Sequence, residues 1–578
     1  MEDAILSASS LEEREQDPPA TAPAAATKAG GWNAIKYIIG NESFEKLASM
    51  SLIANITVYL RSQYNMDGVL VVNVVNIWSG CSNIASLAGA FISDAYLGRF
   101  RTLFFGSLAS FLGMGTMTLT AGLSQLRPPE CTGQSMCVHP QKWQLGILFG
   151  GLSLLALGAG GIRPCNIAFG ADQFDTTTAK GRSQLECFFN WWYFSFTVAL
   201  LIALIGVVYI QTNVSWAIGF AIPTLCLLLS ISIFLLGRKA YICKKPQGSV
   251  FTDVAKVLVA ATFKSRRNIP ENFLYDPPPE EGEEAGRLHR TERFRFLDRA
   301  AVVMEGELDG QGKARNGWKL CCVQQVERLK CLIGIVPVWV SGIGCFITMD
   351  QQTTFGILQA IQMDKSIGRH FSIPPGWMTL TSMVALSIWI FVYEQVYIPH
   401  AHKISGRAKR LTTKQRIRIG ILMSILCMIV AGVVEKIRRN SAIKSRTFVA
   451  TTTVFLLLPQ FVLSGMVEAF AAVAIMELLT TQMPESMRTV AGAVFFLSLS
   501  MASYIGSLLV NVIHVATTRG GHSPWLGGHD LNRNKLENYY YIIAAVNAFN
   551  FVYFTLFASR YVDLGRVQGA VQLAGSGS

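Results

Sequence analysis

Residues 142–163 read KWQLGILFGGLSLLALGAGGIR, with twenty uncharged residues between Lys142 and Arg163. As a helix, about 20 apolar residues cross the roughly 30 Å hydrocarbon core of a bilayer. Runs of the same kind recur near 38–61, 69–92, 102–124, 188–211, 215–236, 331–353, 376–397, 417–435, 449–479, 489–514 and 538–560. Twelve membrane crossings are therefore expected. The whole composition agrees. The 578 residues are 51% hydrophobic and 15% charged, where a soluble domain carries about 25% charge. Mean hydropathy is +0.36. So little charge could not cover several water-facing domains.

The formal charge of +13, from 50 basic and 37 acidic residues, taken alone suggests nucleic acid. The basic residues instead crowd short loops. The loop after the second span is DAYLGRFR. The one after the eighth, HKISGRAKRLTTKQRIR, holds Lys403, Arg407, Lys409, Arg410, Lys414, Arg416 and Arg418 and no acid. Lys and Arg mark cytoplasmic loops, and these two share a side with both termini and the long middle segment. No nucleic-acid partner is expected. One stretch dissents: EKIRRNSAIKSR, after the ninth span, is basic yet falls on the outer side.

Five segments follow. Residues 1–31 are acidic, Pro/Ala-rich and lack the apolar run of a signal peptide, so they read as a disordered cytoplasmic tail. Residues 32–237 form a six-helix half. Residues 238–330 form a cytoplasmic linker, whose GSVFTDVAKVLVAATFKSRR suits an amphipathic helix on the inner membrane face and whose YDPPPEEGEEAG is acidic and turn-rich. Residues 331–562 form the second half, and 563–578 a second disordered tail. The expected fold is an all-α membrane protein of two six-helix halves, the architecture of a transporter whose site lies midway between them. No cofactor or metal is expected. No Walker-type loop is present, and the eight histidines make no HExxH cluster. The Gly-Ala-Gly-Gly run at 158–161 lies inside a span and suits close helix packing. Most of the twelve cysteines lie in apolar runs as small hydrophobes. Cys131 and Cys137 share one polar loop and could pair if it faces outward. The Asn213-Val214-Ser215 sequon sits too near the membrane edge to favour glycosylation.

Charges inside spans are costly and point to function. Glu42, Glu45 and Lys46, in GNESFEKLASMSLIANITVYL, share one helical face by their spacing of three and four. Lys46 can neutralise one glutamate and leave the other to exchange a proton. The bland alternative is a helix end at the lipid headgroups. Arg163 and Glu468 are single charges, one in each half. They could pair across a central cavity, so that protonating Glu468 frees Arg163 for an anion, or form a static bridge. Asp350, beside Gln351 and Gln352, lines the cavity mouth or ends its span. Asp94, Gly98, Arg99 and Arg101 form a tight loop whose ion pairs could latch the closed inner gate. FFNWWYF at 188–194 is an interfacial belt or a cavity wall.

Taken together, GNESFEKLASMSLIANITVYL, DAYLGRF, GGIRPCNIAFGADQFD, FFNWWYF, RFRFLDRAAVV and the tenth-span glutamate closely resemble the plant nitrate and peptide transporter family. This family is a branch of the proton-dependent oligopeptide transporters in the major facilitator superfamily. The likeness runs from about residue 31 to about residue 562, and is greatest to the subgroup with low-affinity nitrate and glucosinolate or glucoside carriers. It implies a plasma-membrane proton symporter that works by alternating access, as a monomer or weak homodimer. Its partners would be protons, the bilayer and a small substrate: nitrate, a glucoside, or a carboxylate hormone such as gibberellin or abscisic acid. A di- or tripeptide carrier and a nutrient-sensing transceptor are the alternatives. The resemblance assigns proton coupling to Glu42, Glu45 and Lys46 and the central salt bridge to Arg163 and Glu468. It places Met349, where some nitrate carriers have a histidine, and Gln352 in the substrate site with Arg163 and Glu468, and puts Thr102 at a phosphorylation switch. A thioether supplies neither positive charge nor a strong donor, which favours a weak nitrate site or a larger, partly apolar substrate.

Overall fold

A computed structural model describes residues 30–129, 138–174, 178–244, 250–265, 274–277, 288, 290–310, 312–369, 371–400, 410–483, 488–518 and 524–562. The first half comprises α1 (Gly31–Gln63), α2 (Gly68–Leu97), α3 (Arg99–Gly122), α4 (Lys142–Ala171), α5 (Ser183–Asn213) and α6 (Trp216–Lys239). The linker contributes α7 (Val250–Lys264). The second half comprises α8 (Val323–Ile361), α9 (Trp377–His400), α10 (Thr413–Ser445), α11 (Val454–Gln482), α12 (Val490–Thr518) and α13 (Leu536–Val562). Eleven of these described helices are long and apolar enough to cross a membrane. The twelfth, α1, is 33 residues long but interrupted by the charges at 42–46. Cys131 and Cys137 and the basic loop residues Lys403, Arg407 and Lys409 lie outside the described residues.

An even number of crossings puts Gly31 and Val562 at one end of the bundle, named the inner end after the orientation expected from the loop charges. Lipid tails are as apolar as leucine, so helices in a membrane associate through close packing more than through hydrophobic exclusion. The glycines show how close. A Cβ on Gly89 of α2 would lie 2.0 Å from the Gly160 carbonyl oxygen of α4. One on Gly161 would meet the backbone of Thr102 in α3 at 2.9 Å. The Gly-Ala-Gly-Gly run is thus a contact seam for three helices.

The halves close on each other at the outer end. Thr57 donates to the Thr353 carbonyl (3.2 Å), Gly68 N–H to the Gly528 carbonyl (3.2 Å), and the Arg61 guanidinium to the His529 carbonyl. Asn73 of α2 donates to Asn511 of α12 (2.8 Å). Half-way down the same helices Ser500 donates to the Gly80 carbonyl (2.9 Å), the innermost such bond seen among the described residues with the Cys81–Tyr504 contact (3.2 Å). Among the described residues the halves therefore meet at the end opposite Gly31 and Val562.

Among the described residues, short strands lie between α8 and α9 and between α10 and α11. Met363–Asp364 pairs parallel with Ala450–Thr453, and Ser366–Ile367 antiparallel with Phe371–Ser372. The apolar run at 449–479 begins with one of these strands, and its helix starts at Val454. The dissenting basic stretch after the ninth span is the continuation of α10 rather than a loop. Arg438 is paired to Glu435 inside that helix (2.7 Å) and Arg439 to Glu537 of α13 (3.1 Å). Two of its charges are thereby neutralised, which removes their vote on orientation.

Candidate functional site

In the middle of the first half, α1, α2, α3, α4 and α6 surround a recess of about 30 Å³, room for one or two waters. Glu45 and Arg163 bring charge to it; Leu52, Met114, Leu155 and Leu227 make apolar walls, with Trp78 beside them. Glu42 and Glu45 are buried. Lys46 Nζ lies 3.6 Å from a carboxylate oxygen of each. Glu42 lies eleven residues into a 33-residue helix and is buried against its neighbours, so the knot is not at an exposed helix end. Asn166 of α4 donates to Glu42, and Arg163 donates to Asn83 of α2 (3.0 Å). Pro164 removes one backbone donor from α4 next to Arg163. Neither asparagine was singled out from sequence. Both are uncharged polar residues inside apolar helices, and that was the available signal.

The remaining predicted positions fall elsewhere. Arg163 and Glu468 form no ion pair in this structure. The guanidinium is turned to Asn83 within its own half, and Glu468 is partly buried in α11 with no ion-pair partner among the described residues. Gln352 is not part of the recess either. It is fully buried in the second half and accepts from Gln460 (3.0 Å). Met349 packs against the apolar core of that half. Both Gln352 and Glu468 open a wide helical turn, at 352–356 and 468–472, a local irregularity common at functional sites. Asp350 does not end its span: it sits eleven residues before the end of α8 and accepts from Ser503 of α12 (2.8 Å).

The DAYLGRFR loop turns through Gly98 at φ +76°, which favours glycine. Arg99 pairs with Asp94 (3.8 Å) and with Asp172 at the end of α4. Lys244, at the start of the linker, pairs with Asp172 as well (2.9 Å). This knot joins the first half to the start of the linker, so it does not latch one half to the other here, and Arg101 is exposed outside it. Thr102 is buried and donates to the Gly98 carbonyl (3.0 Å), so this state does not offer it to a kinase. In α5, Phe188 is buried while Trp191, Tyr193 and Phe194 are exposed.

A family model described as PTR2, POT family, matches residues 100–526. The chain belongs to the POT family. Membership makes it a multi-pass, proton-coupled membrane transporter of small solutes and not an enzyme. It is 60% identical to NRT1/PTR FAMILY 2.8 of Arabidopsis thaliana over 92% of this chain and 95% of that one. It is 44% identical to NRT1/PTR FAMILY 2.13 of the same plant, over 92% and 87%. Among solved structures it is similar to the POT family transporter PepTSo, at TM-score 0.64 and 18% identity over 92% of this chain and 98% of that one. An auto-inhibited POT family peptide transporter matches at TM-score 0.66 and 16% identity, over 92% and 97%. These two likenesses establish the two-half helical fold.

Proposed function

We propose that this protein imports an anionic or glycosylated metabolite with protons across the plasma membrane, with Arg163 holding the anion and the Glu42/Glu45/Lys46 knot carrying the proton. The observation that carries this reading is the recess where Arg163, free of an ion pair among the described residues, shares a wall with Glu45. Two glutamates, Lys46 and Arg163 sum to zero charge. A monoanion entering this low-dielectric space adds an uncompensated negative charge unless a glutamate takes a proton. Proton and anion therefore stabilise each other's binding, which is the requirement for symport.

The apolar walls add substrate selectivity. Leu52, Met114, Leu155 and Leu227 offer no donors, so once the recess widens beyond the one or two waters it holds here they suit the apolar body of an organic anion, or the aglycone of a glucoside, more than a bare nitrate. A packed Met349 in place of a cationic side chain supports the same preference. The subgroup of low-affinity nitrate and glucoside carriers fits this lining. A di- or tripeptide is the second reading, favoured by Glu468, which has no ion-pair partner among the described residues and could hold an amino terminus opposite Arg163.

The test is a substrate panel in oocytes at acidic external pH, covering nitrate, glucosides, gibberellin, abscisic acid and dipeptides, read by current and mass spectrometry. An organic anion or glucoside is expected to accumulate with inward current, and Glu45→Gln to abolish that current while the protein still reaches the surface. Full current in both Glu42→Gln and Glu45→Gln would sink the coupling assignment. Accumulation of dipeptides alone would favour the second reading.

A further inference from the structure

One face of α7 is accounted for. Val257, Ala260 and Ala261 pack on Leu297, Ala300, Val326 and Leu329, so the helix is fixed to the base of α8. The linker is locked there by Lys330, which pairs with Asp298 (2.5 Å) and Glu327 (2.8 Å). The opposite face is left open: Leu258, Val259 and Phe263 are 44%, 46% and 56% exposed. A hairpin follows in sequence, closed by the Leu308–Ala314 bridge and turning at Gly312 with φ +76°. Its second arm, KARNGWK at 313–319, carries three cations and no acid, and Trp318 is 47% exposed. Lys319 Nζ lies 5.8 Å from the centre of the Phe263 ring, which makes the arm and the α7 strip one surface. Arg299 joins its edge through the Ser265 carbonyl.

We propose that this surface docks on anionic lipid headgroups of the leaflet at the inner end. A strip of Leu, Val and Phe with an adjoining Trp and several Lys/Arg is the chemistry of an interfacial contact, apolar side chains entering the acyl boundary and cations meeting phosphates. The position agrees. The arm ends just before α8, whose apolar run begins at 331, so it lies about 12 Å of helix from the hydrocarbon edge. Long cationic side chains and Trp318 span much of that distance, and the attraction of an anionic surface extends about 10 Å further. The competing occupant is the linker's own acidic stretch EEGEEAG at 280–286. It matches the charge, but it has no apolar side chain larger than Ala285 to cover Leu258, Val259 and Phe263.

Hydrogen exchange of the full-length protein tests this in nanodiscs of phosphatidylcholine alone and with phosphatidylserine. Segments 250–265 and 309–319 are expected to exchange several-fold more slowly with phosphatidylserine. Each cation removed should weaken the contact about fivefold. The triple variant Lys313→Ala/Arg315→Ala/Lys319→Ala should erase the difference while the spans stay protected. Leu258→Ser/Phe263→Ser, which leaves every charge in place, should reduce it as well. Equal exchange in the two lipids overturns the proposal. So does protection independent of lipid that disappears when Glu280, Glu281, Glu283 and Glu284 become Gln, because the acidic stretch would then be the occupant.

Discussion

Arg438 and Glu435 show how much a single pair of residues can hide. Both are fully buried, joined by two hydrogen bonds of 2.7 Å. Gln359 donates to the same carboxylate (2.8 Å), and Arg438 reaches Asn532 (2.8 Å). Gln359 in turn accepts from Gln460 and Tyr540, each at 3.0 Å. Every partner in this network depends on another, so removing one ion leaves its counter-ion unsolvated. Arg438→Ala or Glu435→Ala should therefore lower stability by about 3–5 kcal/mol. Replacing both by Gln and Met should cost less. Thermal melting of the detergent-solubilised protein, followed by fluorescence-detected size exclusion, measures both. From sequence these charges read as loop residues after a span. The charges at 42–46 were legible because they interrupt an apolar run, whereas those of Glu435 and Arg438 sit at its end and look like solvated flanks.

At the scale of the element, helix contacts depend on where side chains are absent. A Cβ on Gly160 would lie 2.7 Å from the backbone of Ala85, in addition to the clash at Gly89. Both neighbours are backbone, which cannot swing aside. Gly89→Val or Gly160→Val should force α2 and α4 apart and cost at least about 1–3 kcal/mol. Reduced surface expression and a lower melting temperature are the expected readouts, with Gly115→Ala, which meets nothing within 4 Å, as the neutral control. The small-residue run was readable as a packing seam. The helices it meets were not, since a glycine carries no trace of its neighbour.

For the whole molecule, one connection that joins the halves at the outer end is the segment between α12 and α13. Its Gly528 and His529 carbonyls are held by Gly68 and Arg61 of the first half, and its Asn532 is anchored by Arg438 of the second. The His529 ring is partly buried and packs against Phe448 at 6.4 Å. Burial first, then the Arg61 charge, hold its pKa below the ordinary 6.5; Asp67 acts against that lowering and His139 with it. A base with a lowered pKa in the closed state leaves closure undisturbed above 6.5. As pH falls from there through the lowered value, the open state binds more protons and closure weakens. Electron-spin distances between labels on the outer ends of α1 and α13 should lengthen on acidification. His529→Gln should flatten that response, and Arg61→Gln should lengthen the distance even at neutral pH. Unchanged distances across pH in the natural protein would remove His529 from gating.

The sequence by itself determined the membrane class, the two halves, the charged knot on α1 and the family resemblance. The first three follow from local facts: the length of apolar runs, the cost of a charge inside them and the three-and-four spacing of a helix; the resemblance rests on the shared motifs themselves. Only the tertiary structure decided which charges meet. It turned Arg163 toward Asn83 instead of Glu468, placed Asp350 against Ser503, and made a buried pair of Arg438 and Glu435. The physical reason is that apolar periodicity records which side chains avoid water, while an ion pair depends on how helices rotate and close around one another. In an alternating fold that closure changes with state, and a sequence written for both states does not single out either one.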